Sequence, residues 1–126
     1  MNMKTKTATA SIERRIKQFY GFLNSGEVER CYQMIDPRVR AESTSVTLLQ
    51  YANSLRVFRE TTGRLELAEI HVQLHVGEPS RLYEGRDFAV GTTVYEDQHG
   101  QRHTFQERWV REGRIWYTRS TGFVCA

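Results

Sequence analysis

Apolar positions in the first half of the chain recur with the period of a helix, and in the second half with that of a strand. Ile12, Ile16, Phe19, Tyr20 and Leu23 form one stripe of a 3.6-residue repeat. Ser11 is placed to cap this helix, and Asn24-Ser25-Gly26 to stop it. Val28, Cys31, Tyr32 and Ile35 repeat the stripe over a shorter second helix. Asp36-Pro37 ends that helix, because the residue before a proline avoids helical backbone. Residues 38–43 read as a short extended piece. Ser43, Thr44 or Ser45 can cap a third helix with Leu48, Tyr51, Ala52, Leu55 and Phe58 on its apolar face, and Gly63 closes it.

After Gly63 the period changes to two. Ala68, Ile70, Val72, Leu74 and Val76 alternate with Glu69, His71, Gln73 and His75, the pattern of a half-buried antiparallel strand over 64–76. Gly77-Glu78-Pro79-Ser80 is a turn, a long strand follows over 82–96, and Asp97-Gln98-His99-Gly100 is a loop. Residues 102–111 and 114–124 form the last two strands around a turn at Glu112-Gly113. Helices first and strands afterwards predict an α+β domain, with the three N-terminal helices packed on one face of an antiparallel sheet. Residues 1–10, with Thr5, Thr7 and Thr9, read as a flexible leader, and 11–126 as a single domain.

Strand parity then assigns faces. A four-residue Asp97–Gly100 loop sets Phe88 opposite Trp109, Val90 opposite Glu107, Thr92 opposite Phe105 and Val94 opposite His103. A two-residue Glu112-Gly113 turn sets Trp109 opposite Trp116, Glu107 opposite Thr118 and Phe105 opposite Ser120. The inner face so predicted carries Phe88, Val90, Thr92, Val94, Phe105, Glu107, Trp109, Trp116, Thr118 and Ser120. The outer face carries His71, Gln73, Thr93, Tyr95, Gln106, Arg108, Tyr117 and Arg119. A turn with a glycine bulge at Glu112-Gly113 is equally good chemistry, and it would bring Ile115 and Tyr117 inward instead.

Composition narrows the function classes. A chain of 126 residues, 39% hydrophobic and 26% charged, has the make-up of one globular domain. No apolar run approaches the ~20 residues of a membrane span. Two cysteines, Cys31 and Cys125, make no disulfide framework, and Met1–Ala10 lacks the apolar core of a secretory signal, so a reduced, cytoplasmic setting is expected. The net charge of +3 suggests an anionic partner at first. Yet Lys4 and Lys6 fall in the leader, and without them +3 becomes +1. The arginines form no run, which argues against nucleic acid as the partner.

Candidate chemistry is sparse. No G-x-S-x-G elbow and no glycine-rich phosphate loop occurs. His71 and His75 lie about 13 Å apart along a strand at ~3.3 Å per residue, too far to share a metal. No metal and no cofactor is expected. Glu107, between Phe105 and Trp109, is the sharpest candidate. A carboxyl in apolar surroundings has a raised pKa and suits general acid–base chemistry, unless it pairs with an arginine such as Arg86 or a shifted register leaves it in water. Tyr20, Tyr32 and Tyr51 lie on three helix stripes that converge on the sheet, either as ligand-binding hydroxyls or as core residues with polar tips. Phe88, Thr92, Phe105, Trp109, Trp116 and Thr118 complete the predicted pocket. On the outer face, His71, Gln73, Gln106, Arg108, Tyr117 and Arg119 have the aromatic and arginine character of an interface.

Three helices with a Gly after the first, a short second helix, then four antiparallel strands ending in the Trp109-x3-Gly113-x2-Trp116 hairpin resemble the NTF2-like superfamily. That family includes SnoaL-like cyclases and ketosteroid isomerases, and the resemblance spans about residues 11–124. It implies a strongly curved, cone-shaped sheet with the helices on its concave face, a pocket for a small apolar ligand, and a homodimer through the convex face. It also implies cofactor-independent isomerase, dehydratase or cyclase chemistry, or else a non-catalytic dimeric module whose pocket its own Trp and Phe side chains plug. Of the three catalytic groups of ketosteroid isomerases, only the late-strand acid finds a counterpart, Glu107. The tyrosine position falls on Phe19, with Tyr20 one place off. The general-base position falls near Ser43, with Glu42 beside it. These departures argue against ketosteroid isomerisation itself.

Overall fold

A computed structural model describes residues 3–42, 47–77 and 83–121. Four helices precede four strands: α1 (Met3–Asn24), α2 (Val28–Gln33), α3 (Pro37–Arg40), α4 (Leu48–Thr62), β1 (Glu66–His75), β2 (Phe88–Glu96), β3 (Arg102–Glu112) and β4 (Ile115–Thr118). The α+β class is therefore as expected, with an antiparallel sheet in the order β1-β2-β3-β4. No helix among the described residues is long and apolar enough to cross a membrane.

The helix stripes are where the 3.6-residue period puts them. Ile12, Ile16, Phe19, Tyr20 and Leu23 are buried from α1, Cys31 from α2, and Tyr51, Leu55 and Phe58 from α4. Boundaries differ in three places. α1 begins at Met3, so Ser11 lies inside it rather than capping it, and Ala8 of the expected leader packs against the core. Residues 37–40 are a helical turn, not an extended piece. Asp36 caps that turn by accepting a hydrogen bond from the Arg38 amide at 3.1 Å, and Pro37 takes the first helical position, where no N–H is needed. The cap of α4 is Thr47, whose hydroxyl and Gln50 side chain form a reciprocal capping box. The expected caps Ser43, Thr44 and Ser45 lie outside the described residues, as do most of the Gly77–Ser80 turn and Cys125.

Asn24, the last residue of α1, fixes where the sheet begins. Its side-chain amide donates to the Leu65 carbonyl and accepts from the Leu65 amide, both at 2.9 Å. From there Ile70, Val72 and Leu74 pack against the core, and His71 and Gln73 stay exposed, as the alternation requires.

β2 corrects the expected register. Phe88 pairs with Val110, Ala89 with Trp109, Gly91 with Glu107 and Thr93 with Phe105. The connection has five residues, 97–101, and not four. The cause is Asp97: its carboxylate accepts from the amides of His99 (2.8 Å) and Gln101 (3.0 Å), its own amide donates to the Gln101 carbonyl at 2.8 Å, and Gly100 takes a positive φ. One extra residue reverses the faces of β2. Ala89, Gly91, Thr93 and Tyr95 face the helices, whereas Phe88, Val90, Thr92 and Val94 face away. β2 also starts at Phe88 and not at 82, since 83–85 turn, with Glu84 and Gly85 at positive φ.

The β3–β4 turn is Gly113-Arg114, with Glu112 paired to Ile115, Arg111 to Trp116 and Trp109 to Thr118. This differs from the expected pairing by two places, so the faces survive: Trp116 and Thr118 are buried, and Ile115 is exposed. β4 spans only four residues. Beyond it the sheet edge is covered by the segment between α2 and α3, where the Asp36 amide donates to the Thr118 carbonyl (2.8 Å) and Thr118 donates to the Met34 carbonyl (2.9 Å).

Candidate functional site

The inward residues of β2 and β3 build a cluster with one acid at its centre. Glu107 projects from β3 between Phe105 and Trp109, opposite Gly91. Glycine there makes room: a Cβ at Gly91 would meet Ile16 Cδ1 at 3.0 Å and the Trp109 indole at 3.6 Å. The hydroxyl of Tyr20, from α1, donates to Glu107 Oε1 at 2.8 Å. The Tyr20 ring lies 4.2 Å from that of Tyr95 and 6.1 Å from that of Phe105. Phe58 of α4 packs 5.9 Å from Phe105, and Tyr51 lies 5.6 Å from Tyr32.

The surroundings set the charge state. Burial raises the Glu107 pKa above the ordinary carboxylate value, and the Tyr20 hydrogen bond, which favours the ionised form, offsets this only in part. The Tyr20 hydroxyl is pushed well up, by burial first and then by the Glu107 charge. Burial also raises Tyr51 and Tyr95, each further opposed to ionisation by Glu107. The tyrosines therefore stay neutral donors at physiological pH. The Tyr95 hydroxyl and the Trp109 indole N–H make no hydrogen bond of ordinary geometry among the described residues, although Tyr95 is 1% exposed and Trp109 is 0% exposed. The Tyr95 hydroxyl has Thr93 and Glu107 as its polar neighbours.

The alternative role for Glu107, an ion pair with Arg86, is not what the structure shows. Arg86 is committed elsewhere: Nη1 and Nη2 each donate to an Asp36 carboxylate oxygen at 2.9 Å, and Glu84 (2.8 Å) and Glu112 (3.1 Å) complete its shell.

Tyr20, Tyr51, Phe105, Glu107, Trp109, Trp116 and Thr118 thus share one side of the sheet, as the sequence predicts, and Tyr32 is half-buried against Tyr51. Phe88 and Thr92 do not belong to this site. They lie on the opposite face, where Phe88 stacks on His75 (4.4 Å) and packs on Tyr83 (4.9 Å). Thr93 and Tyr95, assigned outward from the sequence, are the inward members of β2. A signal for them exists in the chain: Ala89 and Gly91 are the small residues that a helix-covered face needs beneath Ile16 and Trp109.

On the far face, His71, Gln73, Gln106 and Arg108 are exposed as expected. Tyr117 is half-buried beneath the Arg15 guanidinium (5.5 Å). Arg119 is already engaged, donating to Asp36 at 2.8 Å and covering the Tyr83 ring at 5.4 Å.

A second polar pair closes the loop end of the sheet. His103 Nε2 and Asp97 Oδ2 lie 2.7 Å apart, and this contact, with the two loop amides, holds the Asp97 carboxyl below the usual range. No group of three or more metal-ligating side chains occurs among the described residues.

An open groove of about 450 Å³ borders the cluster, with Tyr20 and Tyr95 in its wall, Leu65 and Leu67 beside them, and the exposed Lys17 and Arg64 also lining it. Chemically, a carboxyl with a raised pKa suits general acid–base chemistry, and the Tyr20 hydroxyl is positioned to stabilise its ionised form. Comparison of the chain with family models, with curated proteins and with solved structures returns no match.

Proposed function

We propose that the chain is an NTF2-like domain, with the sheet curved into a cone around the Tyr20–Glu107 cluster, that binds a small and mostly apolar organic ligand and moves a proton on it without a cofactor. The observation that carries this reading is the Tyr20–Glu107 hydrogen bond at 2.8 Å within an aromatic shell whose burial raises the carboxyl pKa. Glu107 acts as the acid and base of an isomerisation, dehydration or cyclisation. Tyr20 steadies its ionised form. The Tyr95 hydroxyl and the Trp109 N–H supply unused donors for an oxygen on which charge develops. The test follows α-proton exchange of α-tetralone, an apolar bicyclic ketone, in deuterated water by NMR. General acid–base catalysis predicts an acceleration of about a hundredfold or more that Glu107→Gln abolishes. Equal exchange with the wild type and the variant overturns the assignment.

A second reading has its own observation. Trp116, Tyr95 and Trp109 are all buried, so the chain's own side chains fill much of the inner face. On this reading the domain is a non-catalytic module that pairs with a second copy through the face bearing His71, Gln73, Gln106 and Arg108. A dimer by analytical ultracentrifugation, together with no binding of α-tetralone, favours it over the first.

A further inference from the structure

The rim of the groove says more about the ligand. Several arginines are engaged by acids: Arg86 and Arg119 by Asp36, Arg38 by Glu84 and Glu112, Arg56 by Glu60, and Arg111 by Asp87. Lys17 and Arg64 are not. Both are exposed, both line the groove that ends on Tyr20 and Tyr95, and neither has an ion-pair or hydrogen-bond partner among the described residues. The one acid in that lining is Glu66. Arg64 also borders a neighbouring groove of about 580 Å³, where Arg59 spends one hydrogen bond on the Asn24 carbonyl at 3.2 Å and has no acidic partner among the described residues. The placement is built in, because the double hydrogen bond from Asn24 to Leu65 holds the residue after Arg64 against the end of α1. Tyr95, in the groove wall, has a buried hydroxyl that makes no hydrogen bond of ordinary geometry among the described residues.

We infer that the ligand is an organic anion: an apolar, aromatic-sized body lying against Tyr20, Tyr95, Leu65 and Leu67, with a carboxylate or similar group held at the rim by Lys17 and Arg64. The inference rests on the pocket proposed above and names its ligand class. It does not require Glu107 to be catalytic. An exposed cation about 4 Å from an anion changes affinity about fivefold in water-like dielectric, so two of them give about a twentyfold preference.

The test compares 2-naphthoate with the uncharged 2-naphthamide by isothermal titration calorimetry. The probes are titrated into the wild type, Lys17→Gln/Arg64→Gln, Glu107→Gln and the distant control Arg114→Gln. Naphthoate is expected to bind about twentyfold more tightly than naphthamide. The preference should vanish in the double variant and with added salt, and persist in Arg114→Gln and Glu107→Gln. Equal binding of the two probes, or a preference untouched by the double variant, overturns the anion inference and leaves the apolar pocket standing. Binding of neither probe at millimolar concentration overturns both. Circular dichroism of the double variant, altered only at two exposed positions, confirms that it is folded.

Discussion

Loss of Asp36 should cost the fold heavily, and the structure sets the size of the effect. It is 0% exposed and accepts hydrogen bonds from Arg86 Nη1 (2.9 Å), Arg86 Nη2 (2.9 Å), Arg119 Nη1 (2.8 Å) and the Arg38 amide (3.1 Å). Removing one partner of a buried ion pair costs about 3–5 kcal/mol, because the other charge is left stranded. Here the stranding is incomplete. Arg86 keeps Glu84 and Glu112, and Arg119 is only half-buried. Asp36→Ala should therefore sit at the lower end, about 3 kcal/mol. Asp36→Ala with Arg86→Met should cost less than the two single changes added together. Equilibrium urea unfolding at neutral pH reads this as a lowered midpoint with an unchanged slope. The pH dependence gives a second check. Burial alone would raise the Asp36 pKa, but the hydrogen bonds from Arg86 and Arg119 outweigh it and lower the pKa. A lowered acid pKa contributes stability that is full above the unfolded value of about 3.9 and is lost as pH falls through the folded value. The gap between wild type and variant should therefore close in acid. A loss below about 1 kcal/mol at pH 7, the size expected for an exposed pair, would refute the reasoning.

Other expectations follow from the same geometry. The Glu107 pKa is raised, so the neutral acid contributes stability that is full below about pH 4.3 and is lost as pH rises through the folded value. Glu107→Gln, neutral throughout, should gain on the wild type with rising pH by about 1.4 kcal/mol for each unit of elevation, read by urea unfolding in acid and at neutrality. A constant difference refutes it. Gly91→Leu drives a side chain into Ile16 and Trp109 and should cost about 1–3 kcal/mol in thermal or urea unfolding, whereas an exposed change such as Arg114→Leu should not. Asp97→Ala removes the carboxylate that holds two loop amides and His103. Hydrogen exchange at His99 and Gln101 should quicken at neutral pH, and the difference from wild type should shrink as acid protonates Asp97 below the usual carboxylate range.

Much of this was legible in the chain, and the reason for each success or miss is physical. β1 has one covered and one open face, so Ile70, Val72 and Leu74 separate cleanly from His71 and Gln73. The inward aim of Glu107 follows from the parity it shares with Phe105 and Trp109. β2 misleads because both its faces have apolar character. Phe88, Val90 and Val94 are half-buried on one side, while Ala89, Gly91, Thr93 and Tyr95 are buried on the other. With hydrophobicity unable to choose, the face depended on loop length, and the hydrogen bonds of Asp97 to His99 and Gln101 made the loop one residue longer than its turn-forming residues suggest. At the β3–β4 turn the expected and observed pairings differ by two places, which leaves the faces unchanged because strand parity repeats every second residue. The Asp36–Arg86 pair joins residues 50 apart through a turn that shows no periodicity, so no local pattern announces it.

These pieces converge on Glu107. The Asn24 clamp sets the start of β1, Gly91 clears the space beside the acid, Tyr20 donates a hydrogen bond to it, and the Asp36 network anchors the β4 edge that carries Trp116 and Thr118. The most direct test is a carbon-13 NMR titration of the Glu107 side-chain carboxyl in the full chain, repeated in Tyr20→Phe. The account predicts a midpoint above the ordinary value of about 4.3 in the wild type, and a higher one still when the Tyr20 hydroxyl is gone. A wild-type midpoint at or below about 4.3 would show an ordinary, solvated carboxylate and contradict the claim that burial in this fold raises the Glu107 pKa.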